Sequence, residues 1–359
     1  MKFNEMFGGA TFVTPSADCT VPCIRGEFSL AGDIVSASLT ACPLGVGELY
    51  LNGQRVSDEK FVPVVSDYHA FDEQYCFKAF GEVTSHRIWC LRYDVTELLC
   101  GENCIGVMLA PAWYQPYGKV KAAFRLDIDY EDGTHEEILS GDWLTWAQSP
   151  ITAWHFHRGE TQDYNSIRMD GWSSVGFDAS AWQSVSVIDA PDSDYGLQDC
   201  PADRVIRHIT PKLIAETEEI FLYDMGENIT GTPIIECTAA GETVILRASE
   251  RLDENGGIEE YTNHGQQSTF IADGSDRKYS LKFVWYGFRY ASVTKNARIT
   301  SCAVIHSDVP VNSSFKSANA QLDWMYETYL RTQLDNMHMG IPSDCPHLEK
   351  RGYTGDGEL

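Results

Sequence analysis

At 359 residues the chain is long enough for two or three domains with sizeable cores, and 43% hydrophobic with 22% charged residues is the composition of a folded globular protein. The formal charge of −25, from 52 acidic against 27 basic residues, repels phosphate backbones and anionic lipid, which argues against nucleic acid and membrane partners. Eleven cysteines, an odd number, include several inside apolar runs such as HRIWCLRYDV, with no CxxC pair and no Cys/His metal spacing. They read as buried free thiols of a reducing, cytoplasmic compartment. The N-terminus lacks a signal-peptide core, and no stretch approaches the roughly 18 apolar residues of a membrane span.

From residue 28 to about 190 the sequence reads as short strands separated by turns. GELYLNGQRVSD predicts a hairpin about Asn52-Gly53. RIWCLRYDVTELL followed by GENCIGVMLAPAWY repeats the pattern around Gly101-Glu102-Asn103. In AAFRLDIDYEDGTHEEIL, Phe124, Leu126, Ile128 and Tyr130 alternate before a turn at Asp132-Gly133. Many short strands without helical periods predict a jelly-roll or sandwich.

The Pro-, Asp- and Gly-rich stretch 188–204 predicts a domain boundary. A second β-sandwich is expected over 205–311, with Gly241-Glu242 as a tight connection. The pattern then changes. Leu322, Met325, Tyr326, Tyr329, Leu330, Leu334 and Met337 fall at helical steps, and Ser317 or Asn319 can cap the start. The fold class is therefore mainly β, with jelly-roll or β-sandwich domains in tandem followed by the first helix of an incomplete all-α domain.

The densest group of chemically active residues follows that helix, in GIPSDCPHLEKRGYTGDGEL. Asp344, Glu349, Asp356 and Glu358 are interrupted by Pro342, Pro346, Gly352, Gly355 and Gly357, which prevent one continuous helix. Glycosidic cleavage needs one carboxyl group to protonate the leaving oxygen and another as base or nucleophile. Crowded carboxylates also raise one another's pKa. By composition alone an acidic, solvated loop is the favoured reading of this stretch. A second polar stretch, HFHRGETQDYN, brings His155, His157, Glu160 and Asp163 close in sequence, as ordinary strand-end residues or as metal ligands. Trp143, Trp146 and Trp154 are either a stacking platform or core.

The run DCPHLEKRGYTGD, Asp344 to Asp356, resembles in unbroken register the signature of inverting α-L-rhamnosidases (glycoside hydrolase family 78), roughly D-C-P-Q-R-E-R-L-G-W-T-G-D. DMGENITG (224–231), GETVILRASERLDENG and WYGFRYASV resemble further motifs of that family in the same order, and LYLNGQRVSD, YDVTELLCGENCIGVMLAPAWY and GWSSVGFDASAWQSV resemble its jelly-roll. The resemblance covers most of residues 45–359.

It implies that Glu349 is the general acid, that Asp344 and Asp356 contact the sugar and tune the acid, and that Tyr353 stands where a Trp usually lines the sugar pocket. Leu348 replaces the family's Arg and His347 its Gln, so one cationic sugar contact is missing here or supplied elsewhere. In some members the jelly-roll binds sugar with calcium, which makes Glu160, Asp163 and Asn165 a candidate carbohydrate or Ca2+ loop; no other cofactor is required. The expected organisation is an N-terminal segment 1–27, a jelly-roll, carbohydrate-binding-like domain 28–195, a second β-sandwich 205–311 and the start of a helical catalytic domain at 312–359. The family's catalytic base is a Glu further along an (α/α)6 barrel, so the sequence reads as truncated at the start of that barrel and inactive by itself. Expected partners are rhamnose-containing glycosides or oligosaccharides, with a homodimer left open. The competing readings are a non-catalytic carbohydrate-binding module and a structural β assembly.

Overall fold

The computed structural model describes residues 1–68 and 86–352. The chain forms two compact units: Met1–Ser149 with Met169–Cys200, and Pro150–Arg168 with Pro201 onward.

The first unit is built almost wholly of antiparallel strands. Ile34–Leu44 pairs with Lys121–Tyr130 on one side and Arg87–Asp94 on the other. The alternation of Phe124, Leu126, Ile128 and Tyr130 is the burial alternation of that strand, and all four are buried. The return strand His135–Leu139 pairs back on it. Asn52 and Gly53, both at positive φ (51° and 81°), make the tight turn between Val46–Leu51 and Gln54–Arg55.

Two expectations need correction here. Residues 1–27 are not a separate segment: Phe12–Pro15 and Pro22–Ser29 are strands of this sheet. The short helix Phe3–Phe7 stacks Phe3 and Phe7 into a cluster with Phe12 and Tyr195. Nor do the strands flanking Gly101 pair with each other. Arg87–Asp94 joins Ile34–Leu44, whereas Glu102–Ala110 lies between Pro22–Ser29 and Val46–Leu51. Local alternation marks strands but carries no information about a partner distant in sequence.

The second unit is a ten-stranded sheet centred on the 17-residue strand Ile220–Glu236, which pairs antiparallel with Tyr286–Thr294 and Arg298–Ser307. Its register slips between Asp224 and Ile229, so the DMGENITG motif forms an irregularity in the strand. There Arg289 grips Asp224 with two N–H donors at 2.9 and 3.0 Å and holds its carboxyl below the usual range.

The hairpin Ile151–His155/Gly159–Asp163 also belongs to this unit, not to the first as the expected 28–195 boundary had it. Gly159–Asp163 pairs in parallel with Gln267–Ile271. Gly159, at φ 143°, is required there: a Cβ would lie 2.2 Å from the Tyr286 hydroxyl and 2.3 Å from the Gln267 carbonyl. Of the three tryptophans, Trp146 and Trp154 are buried and Trp143 is partly exposed.

The expected helix forms over Ala320–Asp335, and Asn319 is its cap, accepting from the Gln321 amide at 2.9 Å. Leu322, Met325 and Tyr329 remain exposed among the described residues. No described helix is long and apolar enough to cross a membrane. At the helix's last residue, the carboxyl of the half-buried Asp335 accepts from the Thr230 amide at 3.2 Å, and its partial burial pushes its pKa up to about 7.

Because the folded-state pKa lies above the unfolded value of 3.8, Asp335 costs stability progressively as pH rises from about 4, reaching its full cost above about 7. Asp335→Asn should therefore raise the melting temperature by an increment that grows from pH 4 to 7 and then levels off. An increment independent of pH would contradict the partly buried carboxyl.

Candidate active site

The site is the loop that follows the long helix, and its position is set by what the sandwich offers beneath it. Just past the helix, Met337–His338 and Ile341–Pro342 form a two-residue hairpin through Met339-Gly340, both at positive φ. The buried Asp203 carboxylate takes hold of this turn. Its Oδ2 lies 2.7 Å from His338 Nδ1, and its Oδ1 accepts from the Met339 amide at 3.1 Å and the Ser307 hydroxyl at 2.8 Å. The His338 imidazole also stacks on the Trp285 indole, 4.3 Å between centres and 18° from parallel.

Beyond the turn the loop touches the sandwich at two points. Pro346 sits on Gly287, where a Cβ would come within 2.6 Å of the proline ring, so only glycine admits the contact. Beside it His347 is buried, 5.0 Å from the His264 ring and with Nδ1 3.6 Å from the Glu250 carboxylate; burial lowers its pKa. The second point is Lys350. Its Nζ donates to the carbonyl oxygens of Phe156 at 2.8 Å and Trp285 at 2.9 Å, and lies 5.0 and 4.3 Å from the centres of their rings.

Between these points Leu348 and Glu349 face outward. Asp344 is half-buried, with Oδ1 enclosed and without a hydrogen-bond partner among the described residues, while Oδ2 lies 3.4 Å from the Cys345 thiol. The structure thus brings Asp344 and Glu349 into one docked loop. Tyr353 and Asp356 lie outside the described residues.

The expected carbohydrate or calcium loop has a different role. Glu160 is only 2% exposed, and its carboxylate accepts from the Phe283 amide at 2.6 Å, the Lys282 amide at 3.0 Å and the Gln162 side chain at 2.6 Å. Burial raises its pKa, and these three donors oppose the rise. Asp163 is three positions along the same strand, so its side chain leaves by the opposite face, where it accepts from the Asn165 and Ser166 amides. Glu160, Asp163 and Asn165 therefore do not converge as an oxygen cage for Ca2+.

Asp203, Trp285, His264, Glu250 and Lys350 escaped the sequence reading. Four of them reach the loop from strands or turns far away in sequence. Nothing in the polar stretch around Lys350 marks that residue as buried.

A sheet that docks a carboxylate-bearing loop just after one long helix agrees with the glycoside hydrolase class expected from the sequence. Sequence comparison makes the class specific. Profiles described as the α-L-rhamnosidase N-terminal domain, the bacterial α-L-rhamnosidase concanavalin-like domain and the bacterial α-L-rhamnosidase 6 hairpin glycosidase domain match residues 32–207, 214–309 and 310–359. The chain belongs to the α-L-rhamnosidase family, glycoside hydrolase family 78.

It is 30% identical to an α-L-rhamnosidase of Streptomyces avermitilis, over 93% of this chain and 33% of that one. The solved α-L-rhamnosidase of Dictyoglomus thermophilum superposes with a TM-score of 0.86 at 25% identity, covering 97% of this chain and 41% of the other. That of Streptomyces avermitilis complexed with L-rhamnose gives 0.82 at 26% identity, covering 96% and 33%. The chain spans about a third of the length of the curated relatives it matches.

Glu160→Ala would remove the side-chain acceptor of the buried Phe283 amide and the half-buried Lys282 amide, and should destabilise the second unit by about 3 kcal/mol. Its unfolding should be unchanged by a calcium chelator. A chelator-induced drop in melting temperature that vanishes in the Glu160→Ala variant would restore the metal reading.

Proposed function

We propose that this chain supplies the β portion and the acid-bearing loop of a glycoside hydrolase that removes terminal α-L-rhamnosyl groups from glycosides or oligosaccharides with inversion. The observation that supports this most is the placement of Glu349: an outward-facing carboxyl group on a loop fixed on either side by Pro346 and Lys350. A proton donor must be held in one position relative to the glycosidic oxygen, and such anchoring provides that.

In this reading Glu349 protonates the leaving oxygen as the bond to the anomeric carbon breaks. The opposing carboxylate activates a water on the other face of the sugar, roughly 6.5–9.5 Å from the acid. We assign that base to the helical domain that begins at residue 310. Asp344, half-buried in the same loop five positions before Glu349, is a sugar contact in this reading. The L-rhamnose in the Streptomyces avermitilis structure supports rhamnose as the sugar bound. Leu348 is 42% exposed and carries no charge where the family has Arg, so a cationic sugar contact must come from elsewhere.

The test is Glu349→Gln in a polypeptide joining these residues to a complete helical catalytic domain. Turnover of a natural rhamnoside should fall at least about a hundredfold, and that of a nitrophenyl α-L-rhamnoside much less, because its leaving group barely needs a proton. Near-normal turnover of the natural substrate would overturn the assignment.

A further inference from the structure

Lys350 is 2% exposed, in a loop whose preceding two residues are open to solvent. Taking an ammonium out of water is costly, and an apolar side chain of similar length would fill the same space without that cost. Burial accordingly pushes its pKa well below the ordinary lysine range, with the Glu160 carboxylate acting in the opposite direction. What the cation offers over an apolar plug is direction. Nζ is fixed by two carbonyl oxygens from separate segments and by two aromatic rings, and those rings meet edge to face, 5.3 Å apart at 89°.

The cradle is itself built rigidly. Phe156 lies in the turn of the 151–163 hairpin, and Trp285 directly precedes the strand Tyr286–Thr294. Glu160 binds the amides of Lys282 and Phe283, Trp154 Nε1 donates to the Phe283 carbonyl at 3.3 Å, and the Tyr286 hydroxyl donates to the Arg158 carbonyl at 2.8 Å. The backbone at Lys350 has φ 56°, a left-handed conformation uncommon for a residue with a side chain. Consecutive Cα atoms are 3.8 Å apart, so a residue pinned at its side-chain tip and held in that conformation dictates how its neighbour departs from the loop.

We propose that Lys350 is a positioning residue for the proton donor: its ammonium, seated among the Phe156 and Trp285 carbonyls and rings, sets the direction in which Glu349 faces the glycosidic oxygen. This rests on Glu349 being the proton donor, and the role is distinct from holding the loop in place, which Asp203 and Pro346 also do.

Leaving-group dependence separates the two roles. The test uses a polypeptide joining these residues to a complete helical catalytic domain, assayed on a natural rhamnoside and on a nitrophenyl α-L-rhamnoside, with Glu349→Gln alongside. For Lys350→Met, kcat on the natural rhamnoside should fall about tenfold or more with KM within about twofold, whereas kcat on the nitrophenyl substrate should fall less than about threefold. Lys350→Arg, which restores a cationic donor, should recover most of the loss. Should the Met variant fail to fold, Lys350→Gln, which keeps two N–H donors without the charge, takes its place in the same comparison. If Glu349→Gln discriminates the two substrates and the Lys350 variant loses activity equally on both, or loses none, positioning by Lys350 is wrong while the proton-donor reading stands. If Glu349→Gln itself fails to discriminate, the proton-donor reading falls first.

Discussion

In the interior of the second unit, the carboxylate of Glu160 receives the amides of Lys282 and Phe283 and the side-chain amide of Gln162. A buried carboxylate is tolerable only when it is saturated with donors of this kind. Satisfying it fixes the path of residues 282–285 against the 151–163 hairpin. That path determines where the Trp285 carbonyl and indole lie, and these in turn receive His338 and Lys350. The loop with Asp344 and Glu349 is thus shaped by a group that makes no contact with a sugar in the proposed reaction. A polar residue in a sheet here acts as a template for a distant loop.

Much of the β architecture is legible in the sequence because it is local. Asn52-Gly53 specifies its turn by backbone conformation, the 121–139 hairpin declares itself by period-two burial, and Asn319 caps the helix at the start of its apolar periodicity. The 151–163 hairpin was misassigned for a physical reason. Its second strand, Gly159–Asp163, pairs in parallel with Gln267–Ile271, about a hundred positions away, and nothing in the hairpin's own pattern encodes that choice. Glu160 differs from expectation for another reason: its closeness to Asp163 in sequence suggests a shared ion, but strand alternation sends the two carboxylates to opposite faces.

The candidate loop stands out only through family resemblance, since acidic residues among glycines and prolines also describe a solvated turn. What resemblance could not provide was which residues face in and which face out. Glu349 and Lys350 are adjacent and oppositely charged, yet one is exposed and the other enclosed. His347, standing for the family's Gln, is held between His264 and Glu250. The segment after Ser249 therefore contributes to the surroundings of His347.

If Glu160 shapes the seat of Lys350, the two side chains must be energetically coupled. A double-mutant cycle with Glu160→Gln and Lys350→Met, read by denaturant unfolding, tests it most directly. The expected coupling free energy is about 1 kcal/mol or more, because loss of the Glu160 carboxylate loosens the segment that carries the Trp285 carbonyl bound by Lys350. Effects that add to within about 0.3 kcal/mol would contradict it.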